Sequence, residues 1–214
     1  MRARWQLGQW RGIPISLHWT VFIGIAWFYY LTRNLADTAI AFFGFSFLML
    51  IHELGHAAVA RWRRVEVLKI ELLFIHGICA HEEPYDEIDD VLIAWGGVAA
   101  QFVVLVIALV ADILLATISP AARYMASPLL GVFIGTNVYI IVFNLLPLAP
   151  LDGAKAWRIL PILKEWAKQT SWADRLRRRL SLRERARTRK LEAESERIAA
   201  GIIDKLKKRK SDVD

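Results

Sequence analysis

His52 and His56 stand four residues apart with Glu53 directly after the first, giving the run His52-Glu53-Leu54-Gly55-His56. Residues i and i+4 of an α-helix lie one turn apart on the same face, so two imidazoles so spaced can reach a single ion. Glu53 borders that face, where its carboxylate can take a proton from an attacking water. Zinc accepts imidazole nitrogen and carboxylate oxygen in a tetrahedron, and a catalytic zinc site leaves one position open. The plainer reading is a set of ordinary polar residues at a helix end. The surroundings argue against it. His52 lies in a long apolar run, nine residues before Arg61, roughly 14 Å at ~1.5 Å per residue. Two histidines and a glutamate are costly at that depth unless they have partners.

A pair of histidines needs a third ligand. The chain has a single cysteine, Cys79, which excludes an internal disulfide and a cysteine-rich zinc site and leaves His, Asp or Glu to complete the set. A later apolar run ends Asn144-Leu145-Leu146-Pro147-Leu148-Ala149-Pro150-Leu151-Asp152-Gly153. Its two prolines preclude a regular helix. Backbone that unwinds at membrane depth is tolerated only inside protein or beside a wet cavity. Asp152 sits in that stretch, beside a glycine that permits close approach. It could instead cap a helix over 153–166. Its depth, matching that of the histidines, favours ligation. His18, His76 and His81 have no ligand spacing to one another and are read as interfacial or loop residues.

The elements that must position these groups are set by composition. Of the 214 residues, 56% are hydrophobic, with 9 Trp and 10 Phe. That is too apolar for a soluble domain carrying a charged tail, and fits an all-α integral membrane protein with a polar appendage. Four segments are long enough to cross a hydrocarbon layer of ~30 Å: about Ile13–Leu31, Ala39–Ala60, Val91–Val110 (extending toward Ile118) and Leu129–Leu148. A small β-hairpin is expected between the second and third, within Val65–Cys79 around His76-Gly77. An acidic stretch, His81–Asp90, follows it. The expected division is a transmembrane domain over 1–160 and a basic helical tail over 161–214. Within the tail a narrow apolar stripe (Leu176, Leu180, Leu191, Ile198, Ile202, Leu206) reads as one solvated helix from Trp172 to Arg209.

The net charge of +7 would suit nucleic acid, but its placement indicates a cytosolic membrane face. Of 28 Lys and Arg, 19 lie at or after Lys155, three precede the first apolar run (Arg2, Arg4, Arg11), and Arg61, Arg63, Arg64 and Lys69 follow the second. The loops at Thr32–Thr38 and Ser119–Ser127 carry one Arg each. The positive-inside rule then puts both termini and the 61–90 segment in the cytosol of a multi-pass cell-membrane protein. No nucleic-acid partner is expected. The stretch after Arg11 is long and lacks a small-residue cleavage site, so it is read as a retained span.

In these residues the chain resembles the site-2 protease family of intramembrane zinc metalloproteases. The resemblance rests on His52, Glu53 and His56 in the second span and on Asn144 through Gly153 in the fourth. Ile13-Pro14-Ile15 with His18-Trp19, and Asn137 seven residues before Asn144, add weaker matches. It covers about residues 10–160. It implies a three-helix catalytic core, zinc (Zn2+) held by His52, His56 and Asp152, Glu53 as the general base, and Asn144 helping to hold the substrate backbone. The implied substrate is a membrane protein with a transmembrane segment in the lipid bilayer. Many members carry A-G-P-x-x-N where the third span begins. Here the run is Trp95-Gly96-Gly97-Val98-Ala99-Ala100-Gln101, with the proline absent and Gln101 read as one place beyond the usual Asn.

Three other readings fit the sequence less well. A catalytically silent membrane scaffold of the same fold has no need of an intact Glu53. A His/Asp ion-transport relay fits discontinuous helices, but the chain has no two related halves. A membrane zinc protease with a later Glu as third ligand fails because the only later glutamates lie at Glu165 and in the tail.

Overall fold

The computed structural model describes residues 4–170 and, beyond them, 177, 179–182, 184, 188–189 and 191–192. The chain divides into two units, Met1–Leu160 and Pro161–Asp214. The first holds every element that positions the site. The expected tail helix from Trp172 to Arg209 lies largely outside the described residues.

Among the described residues, three helical segments are long and apolar enough to cross a membrane: Leu35–Trp62, Glu87–Ile118 and Pro120–Asn144. Helix α1 (Val21–Thr32) is apolar but has only 12 residues, about 18 Å at ~1.5 Å per residue. Helix α2 is Leu35–Trp62, opened by Asn34, whose side chain accepts from the Ala36 and Asp37 N–H groups. Helix α3 is Glu87–Ile118, with Glu87, Asp89 and Asp90 in its first turn, where carboxylates suit the helix dipole. The third segment is α4 (Pro120–Leu130), a π-helical turn (Gly131–Thr136) and α5 (Asn137–Asn144) in continuous sequence. Pro128 falls just before the π turn, removing a donor where the ladder widens. Two short helices follow, α6 (Gly153–Ala156) and α7 (Ile159–Thr170).

The first expected span is not one helix. Ile13–His18 is a strand, β2, set between β1 (Arg4–Trp10), antiparallel to it, and β3 (Val67–Leu72), parallel to it. The physical reason is local. Pro14 interrupts helix, and Ile13, Ile15 and Leu17 alternate with period two. Strand β4 (Gly77–His81) pairs antiparallel with β3 and completes a four-stranded sheet in the order β1-β2-β3-β4. A hairpin thus forms within the loop expected to hold one, but the N-terminal strands beside it escaped an all-α reading. The expected loop Ser119–Ser127 is also mostly helix. The Ser119 hydroxyl accepts from Ala122 N–H and Pro120 takes the first helical position, so α4 starts at once.

Two interfaces fix the frame. The sheet packs on α2 through Ile13, Met49, Ala57, Ile70 and Leu72. Helices α2 and α3 meet at Gly55 and Gly96, where a Cβ on either residue would collide with the other's backbone. Small residues allow that approach between apolar helices.

Candidate metal centre

His52 and His56 leave the same face of α2 and are 3% and 6% exposed. Their Nε2 atoms lie 3.0 Å apart. The Asp152 Oδ2 atom lies 2.9 Å from His52 Nε2 and 3.2 Å from His56 Nε2. Gly97 of α3 faces both rings, and a Cβ there would fall 2.5 Å from His56 Nε2 and 2.6 Å from His52 Cε1. A glycine is therefore what lets α3 pass beside the imidazoles.

The tautomers follow from the other ring nitrogens. His56 Nδ1 is 2.7 Å from the Ile93 carbonyl oxygen, which can only accept, so Nδ1 donates. His52 Nδ1 is 3.1 Å from Gln101 Oε1 and donates likewise. Each neutral imidazole then turns the lone pair of Nε2 toward the other and toward a carboxylate oxygen. Three acceptor atoms meet with no protein proton between them, an arrangement that a cation resolves. Their spacing suits one: ligands ~2.0–2.1 Å from zinc at tetrahedral angles are about 3.3 Å apart. The group His52, His56 and Asp152 is thus positioned to bind a metal, and a two-imidazole, one-carboxylate donor set fits zinc.

Asp152 is held on irregular backbone by contacts from both sides. Trp157 Nε1 donates to the Leu145 carbonyl at 2.6 Å, and Trp95 Nε1 of α3 donates to the Ala156 carbonyl at 3.0 Å. Gly153 lies so close to the Leu145 and Leu146 carbonyl oxygens that a Cβ would collide with both. Lys155 Nζ reaches Asp90 Oδ1 at 2.8 Å, and Arg158 pairs with Glu87 and Asp90 at 3.3 Å each.

Glu53 is 4% exposed and lies under β4. A Cβ at Gly77 would collide with its carboxylate, and the Cys79 main chain faces it. Burial, with the Glu53 and Asp152 carboxylates adding to it, pushes the Cys79 thiol above its ordinary value; it is not among the metal group. Asn144 ends α5 and is half-buried, at the start of the loop that carries Asp152. His18 bonds locally to Thr20, and neither it nor His76 or His81 joins the metal group among the described residues.

Sequence reasoning passed over Gln101, Gly97, Trp95 and Trp157 as parts of the site. Gln101 was within reach. Aligned on Gly96-Gly97, it takes the last position of the A-G-P-x-x-N pattern itself, not one place beyond, and the structure turns it onto His52.

Among the described residues, three helices apolar enough to cross a membrane thus accompany a largely buried His-His-Asp group placed to hold a metal. No protein-family model matches the chain. A curated relative, the zinc metalloprotease MJ0392 of Methanocaldococcus jannaschii, is 29% identical over 179 residues, covering 80% of this chain. The chain spans about half the length of that relative (50%). Among solved structures, the site-2 protease from Methanocaldococcus jannaschii shares the fold, with a TM-score of 0.54 and 23% identity over 79% of this chain and 74% of that one. The relative's name and the shared fold say what this chain is similar to; its own geometry adds a His52, His56 and Asp152 group placed to hold a metal ion. The three apolar helices support a membrane protein.

Proposed function

We propose that this chain is an intramembrane zinc endopeptidase that hydrolyses peptide bonds within or beside transmembrane segments of membrane-protein substrates, as in regulated intramembrane proteolysis. The observation that carries the reading is the convergence of two imidazole lone pairs and one carboxylate oxygen, beside a buried Glu53. His52, His56 and Asp152 would hold zinc, which would supply Lewis-acid polarisation at the scissile carbonyl and lower the pKa of the attacking water. Glu53 takes that water's proton and passes it to the leaving amine. Asn144 holds the substrate backbone.

A helix hides its carbonyls, so the substrate must be extended when cut. Strand β4 is one of the two outer strands of the sheet, β1 being the other, and it is β4 that crosses Glu53. Among the described residues no strand pairs with its outer side, which leaves an edge with which an extended segment can pair. The membrane body is residues 1–160 and the basic tail 161–214, with both termini cytosolic in a multi-pass arrangement. Arg and Lys placement supports that orientation.

The decisive experiment incubates purified protein in detergent with a panel of single-span substrates, with and without chelator, alongside Glu53→Gln. Cleavage that needs metal and is absent from a zinc-replete Glu53→Gln variant is expected. Turnover by that variant, or cleavage indifferent to chelator, overturns the reading.

A further inference from the structure

Helix α3 sends one polar side chain into the metal centre, and another residue ties that side chain's backbone to the next helix. Gln101 is completely buried, and its Oε1 accepts from His52 Nδ1 at 3.1 Å. Asn137, also completely buried at the first turn of α5, donates from Nδ2 to the Gln101 main-chain oxygen at 2.9 Å. Two further atoms of this pair, Gln101 Nε2 and Asn137 Oδ1, lack a hydrogen-bond partner among the described residues. Buried polar atoms without partners are costly to folding. Two amides kept in an apolar bundle under that penalty are poor devices for stability, so their value lies in what they bond.

The bond to His52 has a directional requirement. The imidazole can offer the Nε2 lone pair to a metal only if Nδ1 carries the proton, which needs an acceptor opposite Nδ1. The amide must therefore turn its oxygen to the ring. The reverse orientation would put the proton on Nε2, the atom that faces His56 and Asp152. His56 gets its acceptor from the Ile93 carbonyl, which no side-chain substitution can remove. His52 depends on a side chain. We propose that Gln101, with its turn of α3 tied to α5 by Asn137, is the positioning residue that sets the tautomer and ring orientation of His52 for metal binding. The inference rests on the zinc reading above.

The test measures zinc affinity by chelator competition and thermal stability of the zinc-free protein, using the full chain in detergent. Gln101→Met keeps length and removes the acceptor. It exchanges one buried orphan, the amide nitrogen, for another, His52 Nδ1, so zinc-free stability should change little. Zinc affinity should fall by about 10–100-fold, the usual effect of losing such a partner. Gln101→Glu restores an acceptor and should bind zinc at least as tightly as the native protein. Asn137→Leu should weaken zinc in the same direction, by less. With cobalt in place of zinc, the visible absorption bands of Gln101→Met should shift. Native zinc affinity in Gln101→Met overturns the proposal, as does a parallel fall in zinc-free stability, which would mark a general packing role. So does a Gln101→Glu variant as weak as Gln101→Met. His52→Ala separates the two levels. If it too keeps zinc, the metal reading itself fails. If it loses zinc while Gln101→Met does not, only the role of Gln101 is wrong.

Discussion

Helix α2 and the loop between α5 and α6 deliver ligands to one point by different means. In α2 the backbone does the work: an i, i+4 spacing sets two imidazoles on one face, and regular hydrogen bonding keeps them there. Only the ring rotation needs outside help, from Gln101 and the Ile93 carbonyl. Asp152 has no such frame. Its segment is held by two indole donors, a glycine packed against carbonyls, and ion pairs to the first turn of α3. The lesson is that the helical ligands should be placed by α2 itself and tuned only through the partners of their Nδ1 atoms, whereas the position of the loop ligand should be tuned by several residues that never touch the metal.

The largest effects should come from the ligands themselves, on either side of the comparison. His52→Ala and Asp152→Ala should each lose zinc, and with it all proteolysis. Asp152→Asn keeps the shape but offers a neutral oxygen, and should retain more zinc than Asp152→Ala. Metal content after gel filtration reads all three. Equal zinc in Asp152→Ala and the native protein would remove the loop from the site.

A smaller but still large effect is expected from Gly153→Ala. The added methyl has no room against the Leu145 and Leu146 carbonyl oxygens. Backbone oxygens cannot rotate away as a side chain can, so the loop must shift and carry Asp152 with it. Zinc affinity should drop by more than tenfold while helix content, read by circular dichroism, is unchanged. Ala in place of Gly131, where nothing lies within 4 Å of the added carbon, is the control and should leave zinc binding alone.

The same contrast explains what could be read without coordinates. The His52-Glu53-His56 triad is local, one spacing on one helix, and α2 and α3 follow from long apolar runs. Asp152 was legible because Pro147 and Pro150 announce irregular backbone. What holds it was not, since Trp95 and Trp157 reach it from separate elements and an indole N–H leaves no periodic trace. The sheet was missed in part for a related reason. Strand β2 runs into α1 through one apolar stretch, so its local marks, Pro14 and the alternation of Ile13, Ile15 and Leu17, are short against the length of the run, and its pairing with β1 and β3 completes the distinction.

Trp157→Phe tests a single bond in the clamp. The ring is retained and the N–H lost, so the Leu145 carbonyl loses its donor. One hydrogen bond is worth about 0.5–1.5 kcal/mol. If all of that is spent in holding Asp152, zinc affinity falls by up to roughly tenfold. An unchanged affinity would mean that the loop is set by Gly153 and Trp95 without it.

The ion pairs should matter least. Lys155 is about half exposed (51%), and its partner Asp90 is mostly shielded (16%). Asp90 also meets Arg158, so removal of Lys155 leaves the carboxylate a second cation. Exposed pairs contribute ~0–1 kcal/mol and are screened by salt. Lys155→Ala should therefore weaken zinc by no more than a fewfold at low ionic strength. The difference from the native protein should shrink toward nothing at about 1 M salt, where the Debye length is ~3 Å. Trp157→Phe gives the contrast, because a neutral hydrogen bond is not screened in this way. Its deficit should persist across the same salt series. If the Lys155→Ala deficit also persisted, or exceeded that of Trp157→Phe, the loop would be anchored by charge at the start of α3 rather than by the indoles. The ranking of the clamp's parts would then be reversed.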